Sequence, residues 1–215
     1  MISRRVLLSI LCLLAGIVGA VEPSWDDYSS DDPFAPERTG KEIEFYELKG
    51  PQAGASSYAN LVGRYPLLKW VNVEIAQRRL QTRMTGSYPL LEEADFSNSK
   101  GKVKAVLTGD FPLLRELSVS TIEGEIEVDL RGKWESDCEI EIRSSSGDIE
   151  LRLPRKKGLG LVVTTITSEG RVTASGLRHA SGWRRERRYL NGEQETAPVV
   201  LTVKVRTEGN IKLSY

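Results

Sequence analysis

Gly86-Ser87-Tyr88-Pro89-Leu90-Leu91 decides the fold, because near-copies stand 23 residues to either side: Gly63-Arg64-Tyr65-Pro66-Leu67-Leu68 before it and Gly109-Asp110-Phe111-Pro112-Leu113-Leu114 after it. A fourth copy keeps only the glycine and the ring, in Gly132-Lys133-Trp134. A second glycine set, Gly101, Gly124, Gly147 and Gly170, holds the same 23-residue spacing. Self-similarity at a fixed period of this length marks a stacked repeat architecture.

Between the glycines the chain alternates apolar and polar residues. One segment of each repeat reads Val71-Val73-Ile75, Ala94-Phe96-Asn98, Leu117-Val119-Thr121, Ile140-Ile142-Ser144 and Val163-Thr165-Thr167 at every second position. The other reads Leu80-Thr82-Met84, Val103-Ala105-Leu107, Ile126-Val128-Leu130, Ile149-Leu151-Leu153 and Val172-Ala174-Gly176. Period-two alternation with Glu, Lys, Arg and Ser between marks half-buried strands. The expected fold is all-β: a β-solenoid-like domain over residues 41–215, about 23 residues and two short strands per rung, with a degenerate first rung over 41–62. An antiparallel meander also gives alternating strands, but the constant phase favours parallel stacking. Equivalent residues then lie about 4.8 Å apart, and Leu80, Val103, Ile126, Ile149 and Val172 form one inward column. Glycine at the corner between the two strands is expected to supply positive φ.

The period fails once. Glu208-Gly209-Asn210-Ile211-Lys212-Leu213 matches Glu169-Gly170-Arg171-Val172-Thr173-Ala174, yet Gly209 follows Gly170 by 39 residues instead of 23. The excess falls within an inserted loop, 178–198. Insertions in stacked repeats map to loops on one face, often a binding face. This one carries Arg178, Trp183, Arg184, Arg185, Arg187, Arg188 and Tyr189, a set suited to gripping anions because guanidinium forks bind carboxylate and phosphate bidentately. These seven are the candidate ligand- or partner-binding residues. The competing reading is a loop that covers one end of the stack, its arginines paired with Glu193 and Glu195. Asn191-Gly192 suggests the turn of a hairpin. Leu201, Val203 and Val205 supply the strand before the last corner, and a final strand ending at Tyr215 is expected to leave an open edge, a route to homo-oligomers.

Residues 1–20 read as a signal peptide: Arg4 and Arg5, an apolar run from Val6 to Ile17, and a small-residue exit at Val18-Gly19-Ala20. That run is too short to span a bilayer, so no membrane span is expected after cleavage, although an uncleaved anchor is the alternative. Residues 21–40 form an acidic linker with Pro23, Pro33 and Pro36. Lysine plus arginine and aspartate plus glutamate number 30 each, and loss of the signal's two arginines leaves a charge of about −2, which argues against nucleic acid. Cys138 is the one cysteine outside the signal. It is either a small buried hydrophobe or an intermolecular link.

Catalytic material is scarce. His179 is the only histidine, so neither a histidine-based zinc cluster nor a Ser-His-Asp triad is expected, and no metal or cofactor site is assigned. Acid pairs such as Glu125 and Glu127, or Asp148 and Glu150, share a strand face and read as solvated charge.

The series from Leu117 to Leu130, Ile140 to Leu153 and Val163 to Ala174, then the Gly182-Trp183 loop, Leu201-Thr202-Val203-Lys204-Val205 and Gly209-Asn210-Ile211-Lys212-Leu213, resembles the toast-rack domains. These are bacterial putative adhesin domains, similar to the extracytoplasmic end of cell-wall-stress response proteins. The resemblance implies a β-solenoid-like fold and an exported location: periplasm, cell surface or extracellular. It supplies no catalytic residues. The expected function is a non-catalytic envelope module, adhesin-like or stress-response-associated, that binds an envelope protein or anionic polymer. The alternatives are a carbohydrate-active enzyme on a β-helix and a self-assembling structural protein.

Overall fold

A computed structural model of the chain describes residues 43–49, 57–76 and 79–215. The signal peptide, the acidic linker and parts of the degenerate first repeat lie outside the described residues. In the rest, alternation is realised as strands: β1 (Phe45–Lys49), β2 (Ser57–Arg64), β3 (Trp70–Ile75), β4 (Leu80–Ser87), β5 (Glu93–Lys100) and β6 (Val103–Leu107). There follow β7 (Asp110–Phe111), β8 (Glu116–Glu123), β9 (Ile126–Asp129), β10 (Lys133–Trp134), β11 (Cys138–Ser146) and β12 (Ile149–Arg152). The last six are β13 (Leu159–Thr167), β14 (Val172–Ser175), β15 (Arg178–Trp183), β16 (Glu186–Leu190), β17 (Val199–Thr207) and β18 (Ile211–Ser214). Among the described residues there is no helix.

Two nine-stranded sheets result, ordered β1-β3-β5-β8-β11-β17-β13-β16-β15 and β10-β7-β4-β6-β9-β12-β18-β14, with β2 beside β4. Pairing is parallel except in the β15–β16 hairpin and its junction with β13. The register follows the period: Glu93 pairs with Glu116 and Glu116 with Glu139, each 23 residues on. Inward residues of both sheets meet in one core, with Leu117, Val119, Ile126, Ile142, Leu151 and Val203 almost wholly removed from solvent. Each such aliphatic contributes about 1.5–3 kcal/mol. A lone unit of two strands buries too little to be stable, so every unit depends on its neighbours.

Three further columns hold the corners together. At one corner Tyr65, Tyr88, Phe111 and Trp134 stack with centroids 5.5, 5.2 and 5.3 Å apart, all enclosed. Polar atoms on two of the rings are satisfied inside the core: the Tyr88 hydroxyl donates to the Leu61 carbonyl, and Trp134 Nε1 donates to the Leu130 carbonyl at 2.9 Å. The second leucine of each motif, Leu68, Leu91 and Leu114, is buried, whereas Leu67 and Leu113 reach solvent.

At the other corner glycine sits on glycine. A Cβ at Gly124 would stand 2.2 Å from the Gly101 carbonyl oxygen, one at Gly147 would stand 2.2 Å from that of Gly124, and one at Gly170 would stand 1.9 Å from that of Gly209. Gly101, Gly124 and Gly147 do take positive φ, but among Gly170 and Gly209 neither does. The expected positive φ thus holds at three of these corners, and close approach of stacked backbones is the requirement at Gly170 and Gly209 as well. Beside the glycines runs a hydroxyl column. Ser144 Oγ donates to the Gly124 carbonyl at 2.9 Å, Thr207 Oγ1 to Gly147 at 2.6 Å, and Thr167 Oγ1 to Gly209 at 2.9 Å. This accounts for the polar residue that ends the inward series of each of these strands.

The order of the last units differs from expectation. Cys138 in β11 pairs with Leu201, and Leu201 pairs with Leu161 in β13, so β17 lies between β11 and β13. Likewise Ile211 pairs with Ile149 on one side and Val172 on the other. The inward column thus runs Leu80, Val103, Ile126, Ile149, Ile211, Val172, and the final strand is interior. The open C-terminal edge expected from the sequence is not formed, and homo-oligomers have no such edge to use. The physical reason is that the outer side of β13 is already taken by β16. Asp148 also accepts from the Asn210 backbone N–H at 2.8 Å, which keys the returning segment beside β12.

Two outcomes follow. In a Cys138→Ala background, Glu150→Cys with Lys212→Cys should form a disulfide on mild oxidation, since these residues are ladder partners and neighbouring strands lie within disulfide reach. Glu150→Cys with Thr173→Cys should stay reduced across about 10 Å; the opposite result by mass spectrometry would put β14 directly beside β12. Phe111→Ala should cost about 3–5 kcal/mol in denaturant unfolding, because the ring is stacked on both faces.

Candidate functional site

The insertion folds as an antiparallel hairpin that lengthens the first sheet beyond β13. Its turn is Arg184-Arg185, with Arg184 at φ 57°, not Asn191-Gly192. Asn191 instead replaces a strand partner: its Oδ1 accepts from Leu161 N–H at 3.0 Å and its Nδ2 donates to the Leu159 carbonyl at 2.7 Å. Beyond β16 the backbone leaves the ladder, so a side-chain amide satisfies β13 there. Glu193, expected to pair with arginine, accepts from the Gly158 N–H at 2.5 Å. The outermost strand, β15, carries a bulge between His179 and Ser181. Bulged, charged edges resist pairing with other chains.

All seven sequence-selected residues lie on or at the turn of this hairpin, but alternation divides those of β16. Thr165 and Val163 face inward, and their partners are Arg187 and Tyr189. Tyr189 is accordingly buried and meets the His179 ring edge-on at 5.5 Å. Arg188 pairs with Thr164 on the outward face. There a shallow trough of about 640 Å³ is lined by Val162, Thr164, Thr202, Trp183, Glu186 and Arg188. Trp183 is 84% exposed. Arg178, Arg184 and Arg185 are exposed and line no part of that trough. The sequence reading missed Val162, Thr164, Thr202 and Glu186. Nothing local to those positions marks them, because the antiparallel register of β13 with β16 and the parallel register of β13 with β17 bring them together.

Charge is arranged differently on the two sheets. On the second, Lys102 bridges Glu125 at 3.4 Å and Glu127 at 2.5 Å, Lys104 bridges Glu127 at 3.3 Å, and Lys212 bridges Glu150 at 3.1 Å. Burial alone would push the Glu127 carboxyl up, but the two lysines outweigh it and hold it below the usual carboxylate range. The first sheet instead stacks like charges. Glu93, Glu116 and Glu139 stand in one ladder column, and Lys204 and Arg206 follow on β17 toward Arg188. Beside that acidic column Asp95 is partly buried, and its Oδ1 is enclosed without a hydrogen-bond partner. Burial, then Glu93, Glu74 and Glu116, push its carboxyl above the usual range.

Cys138 is 2% exposed, the buried hydrophobe of the two readings. Burial, then Glu116 and Glu139, push its thiol up to about 12. Among the described residues no helix is long and apolar enough to cross a membrane.

No family model matches the chain, and no curated protein matches it. Among solved structures, a "putative cell adhesion protein" from Clostridium sporogenes is similar at 13% identity and a TM-score of 0.45, over 80% of this chain and 93% of that one. A likeness of that degree carries no argument about function.

Asp95→Asn should raise the melting temperature at pH 7. A carboxyl whose folded pKa lies above its unfolded value of about 3.9 destabilises the fold once ionised, and costs nothing where both states are protonated. The gap between variant and wild type should therefore close as pH falls toward 3. A variant less stable than wild type at pH 7 would show that the carboxylate is favourably held.

Proposed function

We propose that this chain is an exported, non-catalytic binding module of the cell envelope, adhesin-like, built as a β-solenoid of about 23 residues per rung. Membership of the toast-rack group, and with it a link to cell-wall stress, belongs to the same proposal and rests on the sequence resemblance. The observation that carries the binding reading is the hairpin. Where the period fails, the chain presents Trp183 at 84% exposure among exposed arginines, whereas the aromatic rings of the repeat corners are buried in the core. Exposed aromatic and arginine side chains are the types enriched where partners bind.

A catalytic reading needs acids converging in a cleft. The acids of the second sheet lie on an open face and are tied to lysines, which favours a solvated, stabilising role. The self-assembly reading relied on a C-terminal edge, and that strand lies between β12 and β14.

The test is a pull-down of envelope components with the chain from residue 21 onward, wild type against an Arg184, Arg185, Arg187 and Arg188→Ala quadruple variant, at low salt. Capture should fall at least fivefold in the variant. Equal capture would remove the hairpin as the site.

A further inference from the structure

Resting on that binding reading, we infer that the outward trough between the hairpin and β17 binds an acidic glycan, a chain of pyranose rings bearing carboxylates. Three features of the trough point to this ligand chemistry. Its floor is Val162, Thr164 and Thr202: small side chains that leave a broad, shallow surface, with hydroxyls able to donate to and accept from sugar hydroxyls. Its rim holds Trp183, whose indole offers a flat apolar face with a polar edge, the arrangement that suits the C–H face of a pyranose. Beside the indole stand Arg188, a bidentate donor for carboxylate, and Glu186, an acceptor for ring hydroxyls.

The charge of the surrounding sheet sets the ligand's sign and position. Lys204 flanks Thr164 in the ladder, and Arg206 lies two residues along the same strand. Among the described residues no ion pair ties either to a carboxylate, although Glu141 is the ladder partner of Lys204 on its other side, and the Glu93–Glu116–Glu139 column runs up to the floor at Thr202, the partner of Glu139. A carboxylate is therefore held at the Thr164 row, between Lys204 and Arg188, and not at Thr202. A lipid surface fits poorly, because Trp183 is the one exposed large apolar side chain among the described residues of the hairpin.

Neighbouring arginines supply an internal control. Arg187 and Arg188 are consecutive on β16 but face opposite sides of the sheet, Arg187 with inward Thr165 and Arg188 with outward Thr164. The experiment titrates the chain from residue 21 with an oligouronate, the neutral oligosaccharide of the same length and linkage, and polyphosphate of matched charge, following tryptophan fluorescence and calorimetry. Oligouronate should bind, and Trp183→Ala and Arg188→Ala should each weaken it tenfold or more. Arg187→Ala should change it less than twofold, with melting curves of all three variants near wild type.

Equal losses at Arg187 and Arg188, or polyphosphate binding as tightly as oligouronate, would overturn the inference in favour of a diffuse cationic field. Absence of oligouronate binding at millimolar concentration would also overturn it. If the quadruple variant still lost its envelope partner, the broader reading would stand with a protein ligand. A mass that rises with concentration and returns to monomer in Glu116→Lys would assign the cationic end to a second copy of this chain instead.

Discussion

Backbone contact at the glycine corners is the constraint on which the rest depends. Successive corners approach so closely that a Cβ at Gly147 would lie 2.2 Å from the Gly124 carbonyl oxygen, far inside van der Waals contact. That spacing is what keeps both strands of each unit in register with both strands of the next. A side chain there would force units apart, loosening two sheets at once and opening the aliphatic columns between them. The hydroxyl of Ser144 or Thr207, donating to the same carbonyls, satisfies oxygens that the close stacking hides from water.

Such a stack is stable only where it continues, so its ends need separate solutions. On the first sheet the chain changes direction of pairing: β16 lies antiparallel on β13, and the bulged β15 finishes the sheet. The returning β17 and β18 then fill the layer beneath. Consequently β13 and β14 reach β11 and β12 only through the last two strands. The pairing of Cys138 with Leu201 spans a long stretch of chain, and contacts of that separation carry the loop-closure cost that slows folding. Residues 159–178 depend for their packing on residues made after them.

Period and alternation were legible because they are local or strictly repeated. The layer order was not, because β17–β18 and β13–β14 carry the same alternation and glycine corners, and either could follow β12. A signal for the break was present nonetheless. One period beyond Gly132 and Trp134 stand Arg155 and Lys157, so the aromatic column stops at Trp134, and Arg155 lies 5.8 Å from the Tyr215 ring, on the returning segment. Asn191-Gly192 misled because an asparagine amide can mimic a strand's hydrogen bonds as well as occupy a turn. The candidate arginines were legible as a group, but their division into Arg187 and Arg188 faces was not, since it requires the register with β13.

The same repeat gives two faces with opposite electrostatic logic. On the second sheet Lys104, Glu127, Glu150 and Lys212 fall in one column; Glu127 and Glu150 are neighbours there, but each is bridged by a lysine on its other side. On the first, three glutamates stack with nothing between them, an arrangement that opposes folding because like charges directly opposite destabilise a sheet. Stability alone would favour the lysine–glutamate contacts of the second face. The first face retains a like-charge row that ends beside Thr202, while Lys204 and Arg188 flank Thr164 in the next outward row, and segregated charge generates a directional field that paired charge does not. That field points an anion to the Thr164 row, beside the break in the period where Trp183 stands exposed. The costlier charge pattern and the irregular segment thus occur on the same face, which is what a binding surface requires and a purely structural repeat does not.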